Sequence, residues 1–246
     1  MKISIITATY NSASTIAETL QCVASQTYGE VEHIIIDGLS KDNTLEVINQ
    51  FPHISKIVSE KDNGIYDAMN KGIQLASGDI IGILNSDDFY VDENILKEIA
   101  QTFEQTQCDI VYGNLNFVDV NNINKIKRKW IAGNYQLKDF LNGWMPPHPT
   151  FFVRKEVYQK FGVFNLSLGS AADYELMLRF MYKHQLKASY LNKTIVHFRM
   201  GGASTKNINN RIKANINDRK AWQINNLEPK WYTLHLKPLR KIKQFL

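Results

Sequence analysis

A chain of 246 residues, 44% hydrophobic and 22% charged, is long enough for one large domain, or for a domain of about 200 residues followed by a tail. Its composition excludes a low-complexity protein, and no apolar run approaches the roughly 18 residues of a membrane-spanning helix. The two cysteines, Cys22 and Cys108, lack metal-ligand spacing, so we expect buried thiols in a reducing cytoplasm.

The net charge of +5 is concentrated in the last part of the sequence. Residues 206–246 carry a net +8, whereas residues 1–205 sum to −3. Between Trp231 and Leu246, apolar and aromatic residues alternate with basic ones, a pattern typical of a segment that lies on an anionic membrane surface. Nucleic-acid binding is the alternative, and the lack of a recognisable nucleic-acid module disfavours it.

Strand and helix patterns alternate over roughly the first hundred residues. β-branched apolar runs predict strands, and the stretches between them predict helices. The predicted strands are Ile3–Ala8, Val31–Ile36, Lys56–Ser59 and Asp79–Leu84, and the predicted helices are Thr15–Ser25, Thr44–Phe51 and Ile65–Ala76. This order predicts an α/β fold, a Rossmann-like and mostly parallel sheet with helices on both faces.

After residue 107 the pattern changes to longer strands that look partly exposed. The predicted strands are Cys108–Val118, Lys125–Ile131, Thr150–Arg154, Ala188–Leu191 and Thr194–Arg199, with an amphipathic helix at Ala172–His184. We therefore predict one domain over residues 1–205, with halves 1–107 and 108–205, and a basic amphipathic helical extension over residues 206–246.

Polar residues follow each of the first four strands, where open parallel sheets bind their ligands. The four clusters are Thr7–Asn11, Asp37–Asp42, Glu60–Gly64 and Asn85–Asp88. Each cluster alone also suits the cap of the next helix, but the four together predict a single small-ligand site.

Asp87 and Asp88 are the most informative pair. Adjacent carboxylates repel each other unless a cation or hydrogen-bond donors hold them. Hard oxygen ligands suit Mg²⁺ or Mn²⁺, which bind one or two carboxylates together with substrate phosphates. The alternative is a cap for the helix that begins near Asn94.

These segments resemble the family-2 glycosyltransferases of the GT-A fold, inverting enzymes of the nucleotide-diphospho-sugar transferase superfamily. The resemblance covers about the first 205 residues and is specific in combination. It rests on Thr7–Asn11 (TATYN), Asp37–Thr44, Asn63–Gly72 (NGIYDAMNKG), Leu84–Asp88 (LNSDD) and Ala172–Leu176.

The resemblance implies a sugar donor linked to a nucleoside diphosphate, with UDP favoured, a Mg²⁺ or Mn²⁺ cofactor, and a glycan or lipid-linked acceptor. Asp88 would bind the metal, and Asp173 would be the general base that deprotonates the acceptor hydroxyl. Residues 1–107 would bind the nucleotide sugar and residues 108–205 the acceptor. The residues expected to bind the nucleotide sugar are Thr7, Thr9, Tyr10, Asn11, Asp37, Asp62, Asp67, Lys71, Asn85, Ser86, Asp87 and Arg199.

Two positions depart from the family pattern. Asn85 stands where the family often has the first carboxylate of an Asp-x-Asp motif, and Met69 stands where it commonly has arginine. Lys61 or Lys71 would replace that arginine. Asp67 either contacts the donor or pairs with Lys71 at i+4.

Four further features have two interpretations each. His148 contacts the donor or acceptor, or it is a structural loop histidine; Trp144 stacks on a sugar, or it packs in the core. His197 completes the metal sphere or plays no part in it. The loop Gly201–Thr205, with Arg199, closes over the diphosphate or is a plain turn.

Three other functions compete with the transferase. A non-catalytic protein that binds sugar nucleotides would keep the pocket, and a two-carboxylate glycosidase would use paired acids without a nucleotide. A basic adaptor would depend on residues 206–246 alone.

Overall fold

The first part of the chain alternates strand and helix, as the sequence predicts. The computed structural model describes residues 1–201, 208–240 and 244. The strands here are β1 (Ile3–Thr9), β2 (Val31–Asp37), β3 (Ile54–Ser59) and β4 (Ile80–Ile83), and the helices are α1 (Ile16–Ala24), α2 (Thr44–Ile48) and α3 (Ile65–Leu75). Every residue of β1 is buried, which explains its continuous apolar and β-branched sequence.

The four strands run in the same direction. β1 is parallel to β2 on one side and to β4 on the other, and β2 is parallel to β3. Helix α3 packs so closely on β1 that a Cβ at Gly72 would collide with Ile6. Because these strands are parallel, the loops that follow them meet at one edge of the sheet.

The second part of the chain extends the same sheet. Its elements are β5 (Phe89–Tyr90), α4 (Ile95–Thr106), β6 (Ile110–Val118), β7 (Ile126–Trp130), α5 (Lys138–Leu141), β8 (Phe152–Arg154), α6 (Lys155–Phe161), α7 (Ala172–Met177) and β9 (Ala188–Arg199). In the described residues nine strands form one sheet in the order β3-β2-β1-β4-β8-β6-β9-β5, with β7 paired to β6. The longest pairings, β1 with β2 and β6 with β9, are parallel, so the predicted mostly parallel α/β sheet is confirmed.

Some details of the second part differ from the predictions. β6 is buried along its whole length, because it pairs with β7, β8 and β9. The two short strands predicted within residues 188–199 form the single strand β9, whose register with β6 shifts near Asn114. The helix predicted at Ala172–His184 is α7 followed by a π-helical turn at Leu178–Lys183.

The C-terminal helices, α8 (Ile208–Ile224) and α9 (Thr233–Arg240), pack on the rest of the chain. Trp222 of α8 is fully buried, and its Nε1 donates to the Tyr174 hydroxyl at 2.9 Å. The predicted extension therefore contributes to the core, and its boundary at residue 206 stays a prediction. Among the described helices, none is long and apolar enough to cross a membrane.

A pair of histidines, buried His33 and partly exposed His53, connects the sheet to the loop before β3. Nε2 of His33 lies 3.1 Å from the Thr7 hydroxyl, and its Nδ1 lies 3.0 Å from Nε2 of His53. Burial, and then the neighbouring His53, lower the pKa of His33 to about 3. Folded His33 therefore stays neutral at pH values where the unfolded chain, with a pKa near 6.5, takes up a proton.

We expect the free energy of unfolding to fall between pH 7 and pH 5, because the proton binds the unfolded chain and not folded His33. One such group removes about 2 kcal/mol by pH 5. Urea unfolding of the wild type and of His33→Gln at both pH values isolates this contribution, which is present in the wild type alone. An equal loss of stability in both proteins would contradict it.

Candidate active site

The loops after β1, β2 and β3 enclose a cavity of about 460 Å³ at the carboxyl edge of the sheet. Tyr10 and Leu39 are exposed beside it, at 56% and 48% of their surface. The lining residues are Tyr10, Gly38, Leu39, Lys41, Lys61 and Asp62. An aromatic face next to two cations suits a ligand that has both a flat ring and negative charges.

The first two loops brace each other. The Asn11 amide donates to the Ser40 hydroxyl at 2.8 Å, and the Lys41 amide donates to Asn11 Oδ1 at 2.8 Å. Asn11 and Leu39 have φ values of 50° and 62°, a left-handed conformation that these cross-links help to maintain. This end of the cavity is therefore held in shape without a ligand.

Asp37 holds the second loop. Its fully buried carboxylate accepts from the Ser40 amide at 3.1 Å and from the Ser59 hydroxyl at 2.6 Å, and also from the Ser40 hydroxyl. Asp37 therefore shapes the loop from below, and the acidic residue that lines the cavity is Asp62. The predicted contact of Asp37 with the nucleotide sugar stays a prediction.

Thr7 and Thr9 do not face the cavity either. Both are buried, and the Thr7 hydroxyl is engaged by His33. β1 extends through Thr9, so these side chains point to a face of the sheet and not into the loop region. Their predicted contact with the nucleotide is corrected to a place inside the sheet.

The third loop is fixed from helix α3. Lys71 forms an ion pair with Glu60 at 2.8 Å and donates to the Lys61 carbonyl at 2.8 Å, and the bond to Glu60 raises its pKa. Asp67 accepts from the Asn63 amide at 2.9 Å and lies 3.9 Å from Lys71. Of the two interpretations of Asp67, the structure therefore favours the pair with Lys71, and both residues position the loop.

Asp62 projects from this third loop over the second. Its Oδ1 accepts from the Gly64 amide at 2.8 Å. A Cβ at Gly38 would collide with its Oδ2 and would also lie 3.6 Å from the Tyr10 ring. The absence of a side chain at Gly38 is what gives Asp62 its position beside Tyr10.

The two carboxylates after β4 differ in burial. Asp88 is fully buried, where it accepts from Asn85 Nδ2 at 2.8 Å and from the Arg199 amide at 3.2 Å. Asp87 stays partly exposed. The sequence assigned the metal to Asp88, but the carboxylate that a cation can reach from solvent is Asp87.

Ser86 and Arg199 hold this turn in place. The Ser86 hydroxyl lies 2.9 Å from that of Ser12. Arg199 is buried, donates from Nε to the Asp87 carbonyl at 3.2 Å, and forms an ion pair with Glu18. The guanidinium therefore supports the Asp87 backbone, and its predicted contact with a diphosphate stays a prediction.

The environment of Asp87 fits a divalent cation. Burial raises its pKa, and burial together with the charge of Asp87 raises the pKa of Asp88. A cation beside Asp87 would offset this cost of placing two carboxylates together. The described residues contain no group of three or more His, Cys, Asp or Glu that could hold a metal, so substrate oxygens and water would supply part of the coordination.

His197 lies on β9, opposite Phe89 of β5, with the two rings 5.3 Å apart. Partial burial lowers its pKa, which leaves the neutral imidazole that metals bind. Its predicted contact with the metal stays a prediction. Residues 202–205 of the predicted lid loop lie outside the described residues.

A second polar cluster centres on Asp173, at the start of α7. Its Oδ1 accepts from the Tyr174 amide at 2.7 Å, and its Oδ2 lies 3.3 Å from Nδ1 of His148. Tyr66 lies beside Asp173; burial, and then the charge of Asp173, raise the pKa of Tyr66, so its hydroxyl stays protonated. The predicted base, Asp173, therefore lies in the first turn of α7 and has two ionisable side chains, His148 and Tyr66, next to it.

Tyr66 is the residue of this cluster that the sequence analysis missed. It lies within the quoted segment Asn63–Gly72, but an aromatic residue at the start of an amphipathic helix is also typical of a core residue. Its position one turn after the third loop connects the cavity to Asp173.

Trp144 is a core residue. It is 6% exposed, donates from Nε1 to the Ala132 carbonyl at 2.9 Å, and stacks on Tyr135 with ring centres 5.2 Å apart. It also lines a cavity of about 290 Å³ beside the C-terminal segment, so its predicted contact with a sugar stays a prediction.

Comparisons with known proteins identify the family of the chain. The model for "Glycosyl transferase family 2" matches residues 4–162. A PGL/p-HBAD biosynthesis glycosyltransferase of Mycobacterium tuberculosis is 30% identical over 207 residues, 82% of this chain and 78% of the relative. Glycosyltransferase AglE of Haloferax volcanii is 30% identical over 178 residues, 70% of this chain and 58% of the relative.

Solved structures share the fold. TarS of S. aureus superposes with a TM-score of 0.69 at 19% identity, covering 99% of this chain, which in turn spans 43% of the TarS chain. The mannosyltransferase PcManGT of Pyrobaculum calidifontis, in complex with GDP-Man and Mn²⁺, gives 0.67 at 17% identity and covers 96% of this chain and 68% of its own. The predicted GT-A fold is confirmed, and the chain belongs to glycosyltransferase family 2 and is a glycosyltransferase.

Proposed function

We propose that this glycosyltransferase moves a sugar from a nucleoside-diphosphate donor, with UDP favoured, to a hydroxyl of a lipid-linked or polysaccharide acceptor, with inversion at the anomeric carbon. The observation that carries the proposal is the link through α3. The loop before α3 places Asp62 in the cavity, and Tyr66, on the first turn of α3, lies beside Asp173 and has its pKa raised by that charge. The start of α3 therefore connects the cavity proposed for the donor to Asp173, the predicted base.

The donor site follows from the cavity. The nucleoside would lie between Tyr10 and Asp62, and Lys41 and Lys61 would face its phosphates. TarS has been solved with UDP-GlcNAc, and PcManGT with GDP-Man, which supports a sugar nucleotide as the donor class.

Asp87 would hold Mg²⁺ or Mn²⁺ at the diphosphate. When bound, the metal supplies positive charge for the departing diphosphate. Arg199 and Ser86 keep the Asp87 backbone in place, and the group around Asp173 removes the proton of the acceptor hydroxyl. The acceptor oxygen then attacks the anomeric carbon from the side opposite the diphosphate, which inverts the configuration.

A second cavity, of about 290 Å³, supports an acceptor that carries phosphate and apolar groups. Lys129, Lys237 and Arg240 line it together with Trp130, Ile131 and Met145. It lies between the C-terminal segment and the loop that leads to His148. Cations beside an apolar wall suit the head of a lipid-linked sugar.

We further propose that the C-terminal region contacts the inner face of an anionic membrane in the cytoplasm. Trp231 is 83% exposed and Leu239 is 55% exposed, close to Lys230 and Arg240 in sequence. Residues 241–243, 245 and 246, which complete the predicted basic pattern, lie outside the described residues.

Replacing Trp231 by alanine is expected to weaken binding to vesicles that contain anionic lipid by roughly tenfold or more, because a Trp ring contributes about 2 kcal/mol when it leaves water. Sedimentation with such vesicles measures the effect. Val120→Ser is the matched control, since Val120 is 52% exposed on another loop. Equal losses in the two variants would contradict a specific membrane contact.

Gly38→Ala is expected to lower nucleotide affinity about tenfold, because the new Cβ displaces Asp62 and removes roughly one hydrogen bond. Gly29→Ala is the matched control, because a Cβ there meets nothing within 4 Å. Calorimetric titration of the nucleotide into each of the two variants measures its affinity. Unchanged affinity in Gly38→Ala would remove Asp62 from the binding site.

The proposed activity is tested by incubating the protein with a panel of UDP-, GDP-, CDP- and dTDP-sugars and measuring release of the nucleoside diphosphate. We expect release from one donor class, and its loss in EDTA. Sugar release from glycans without a nucleotide, insensitive to EDTA, would favour the glycosidase instead.

A further inference from the structure

The Asp173 carboxylate is already contacted by groups of the chain itself. Oδ1 accepts from the Tyr174 amide, and Oδ2 lies 3.3 Å from Nδ1 of His148. Its side chain is also only 15% exposed, so an acceptor sugar would reach it with difficulty.

His148 is the more accessible member of the pair, with 39% of its side chain exposed. Since a carboxylate accepts, the nitrogen facing Asp173 is Nδ1–H, and Nε2 is the unprotonated atom on the opposite side of the ring. Burial lowers the pKa of His148 and the charge of Asp173 acts in the opposite direction. The ring is therefore neutral at pH 7 and has a lone pair directed away from Asp173.

The backbone around His148 is fixed. His148–Thr150 forms a helical turn between Pro147 and β8, and the Thr150 hydroxyl donates to the Gly113 carbonyl of β6 at 3.0 Å. The Phe198 ring lies edge-on to the imidazole, with ring centres 6.4 Å apart. Among the described residues, Asp173 is the charged group that acts on this ring. The imidazole is thus oriented by one carboxylate and one aromatic contact.

We infer that Nε2 of His148 is the atom that takes the proton of the acceptor hydroxyl, while Asp173 orients the ring and stabilises the imidazolium that forms. This rests on the proposed function. In the step, the acceptor O–H proton moves to Nε2, the oxygen forms a bond to the anomeric carbon, and the bond from that carbon to the diphosphate breaks with its electron pair on the diphosphate. The imidazolium then returns its proton to solvent.

The first test reads the tautomer directly. Long-range proton–nitrogen NMR of the ¹⁵N-histidine protein, with His148→Ala for assignment, distinguishes Nδ1–H from Nε2–H. We expect Nδ1–H in the wild type and its loss in Asp173→Asn. An Nε2–H ring in the wild type would overturn the inference whatever the activity of the protein.

The second test is chemical rescue, read as release of nucleoside diphosphate from the sugar donor that the wild type uses. His148→Ala should lose about 10²- to 10⁴-fold in turnover with unchanged donor affinity, and added imidazole should restore part of it in proportion to its neutral fraction. His184→Ala, at an exposed histidine, is the matched control and should behave as the wild type. A His148→Ala protein that keeps wild-type turnover overturns this inference alone, whereas a wild type that uses no sugar nucleotide refutes the proposed function and the inference with it.

Discussion

Asp87→Ala is expected to lower donor turnover by roughly 10³-fold, because a metal-held diphosphate contributes several kcal/mol to the transition state. Asp87 is the partly exposed carboxylate of its pair, and the variant removes its negative charge while the buried Asp88 carboxylate is kept. The measurement is release of nucleoside diphosphate at several Mn²⁺ concentrations. We expect activity that no longer responds to Mn²⁺.

Two variants sharpen this result. Asp79→Ala is the matched control, since Asp79 lies at the opposite end of the same strand and caps the Lys2 amide at 2.9 Å. Asp88→Asn should lower the free energy of unfolding, because it replaces an acceptor inside a buried network with a donor. The opposite result would be an Asp88→Asn protein that keeps full stability and loses the response to Mn²⁺, together with an Asp87→Ala protein that keeps this response. In that case Asp88 would bind the metal and Asp87 would have the structural role.

Asp173→Asn is expected to lower turnover by about 10²- to 10⁴-fold with donor affinity unchanged, since the amide neither accepts a proton nor orients the His148 ring as a carboxylate does. Steady-state turnover with calorimetric donor binding separates the two effects. Loss of turnover with retained binding also excludes the non-catalytic binding protein as the description of the wild type.

Asp139→Asn is the control for the effect of removing a carboxylate that accepts a backbone hydrogen bond near the start of a helix. Asp139 accepts from the Gln136 amide at 2.8 Å at another short helix, but it lies outside the proposed site. It should alter stability slightly and leave turnover intact. Equal turnover in Asp173→Asn and the wild type would remove the cluster around Asp173 from the reaction.

The fold of the first half was predictable from local pattern. The strand predicted at Ile3–Ala8 is Ile3–Thr9, and the helix predicted at Ile65–Ala76 is Ile65–Leu75. Solid β-branched runs and a clear apolar stripe fix these elements almost independently of the rest of the chain. In the second half the exposure of β6 was not predictable, because it depends on which three strands pair with it.

The sequence indicated which segments lie at the site, but it did not indicate which of their side chains line the cavity. The loops after β1, β2 and β3 line one cavity at the expected edge of the sheet, but the acidic residue that lines it is Asp62 and not Asp37. In the same way, adjacent residues such as Asp87 and Asp88 tend to point to different sides of the backbone. A sequence shows that one of them faces inward and does not show which.

Apart from the bond to the adjacent Tyr174 amide, the contacts of Asp173 come from tertiary structure. His148 and Tyr66 are distant from it in sequence and approach only when α3, the Pro-rich loop and α7 pack together. Trp144 illustrates the same limit, because its core position depends on Tyr135 and Ala132.

The most direct test of the proposed donor site is calorimetric titration of UDP, GDP, CDP and dTDP into the wild type and Asp87→Ala, each with Mn²⁺ and with EDTA. We predict that one diphosphate binds the wild type tightly only with Mn²⁺ and binds Asp87→Ala weakly in both conditions. Binding that is equally tight with EDTA, or unchanged in Asp87→Ala, would contradict a metal-bridged diphosphate at this site.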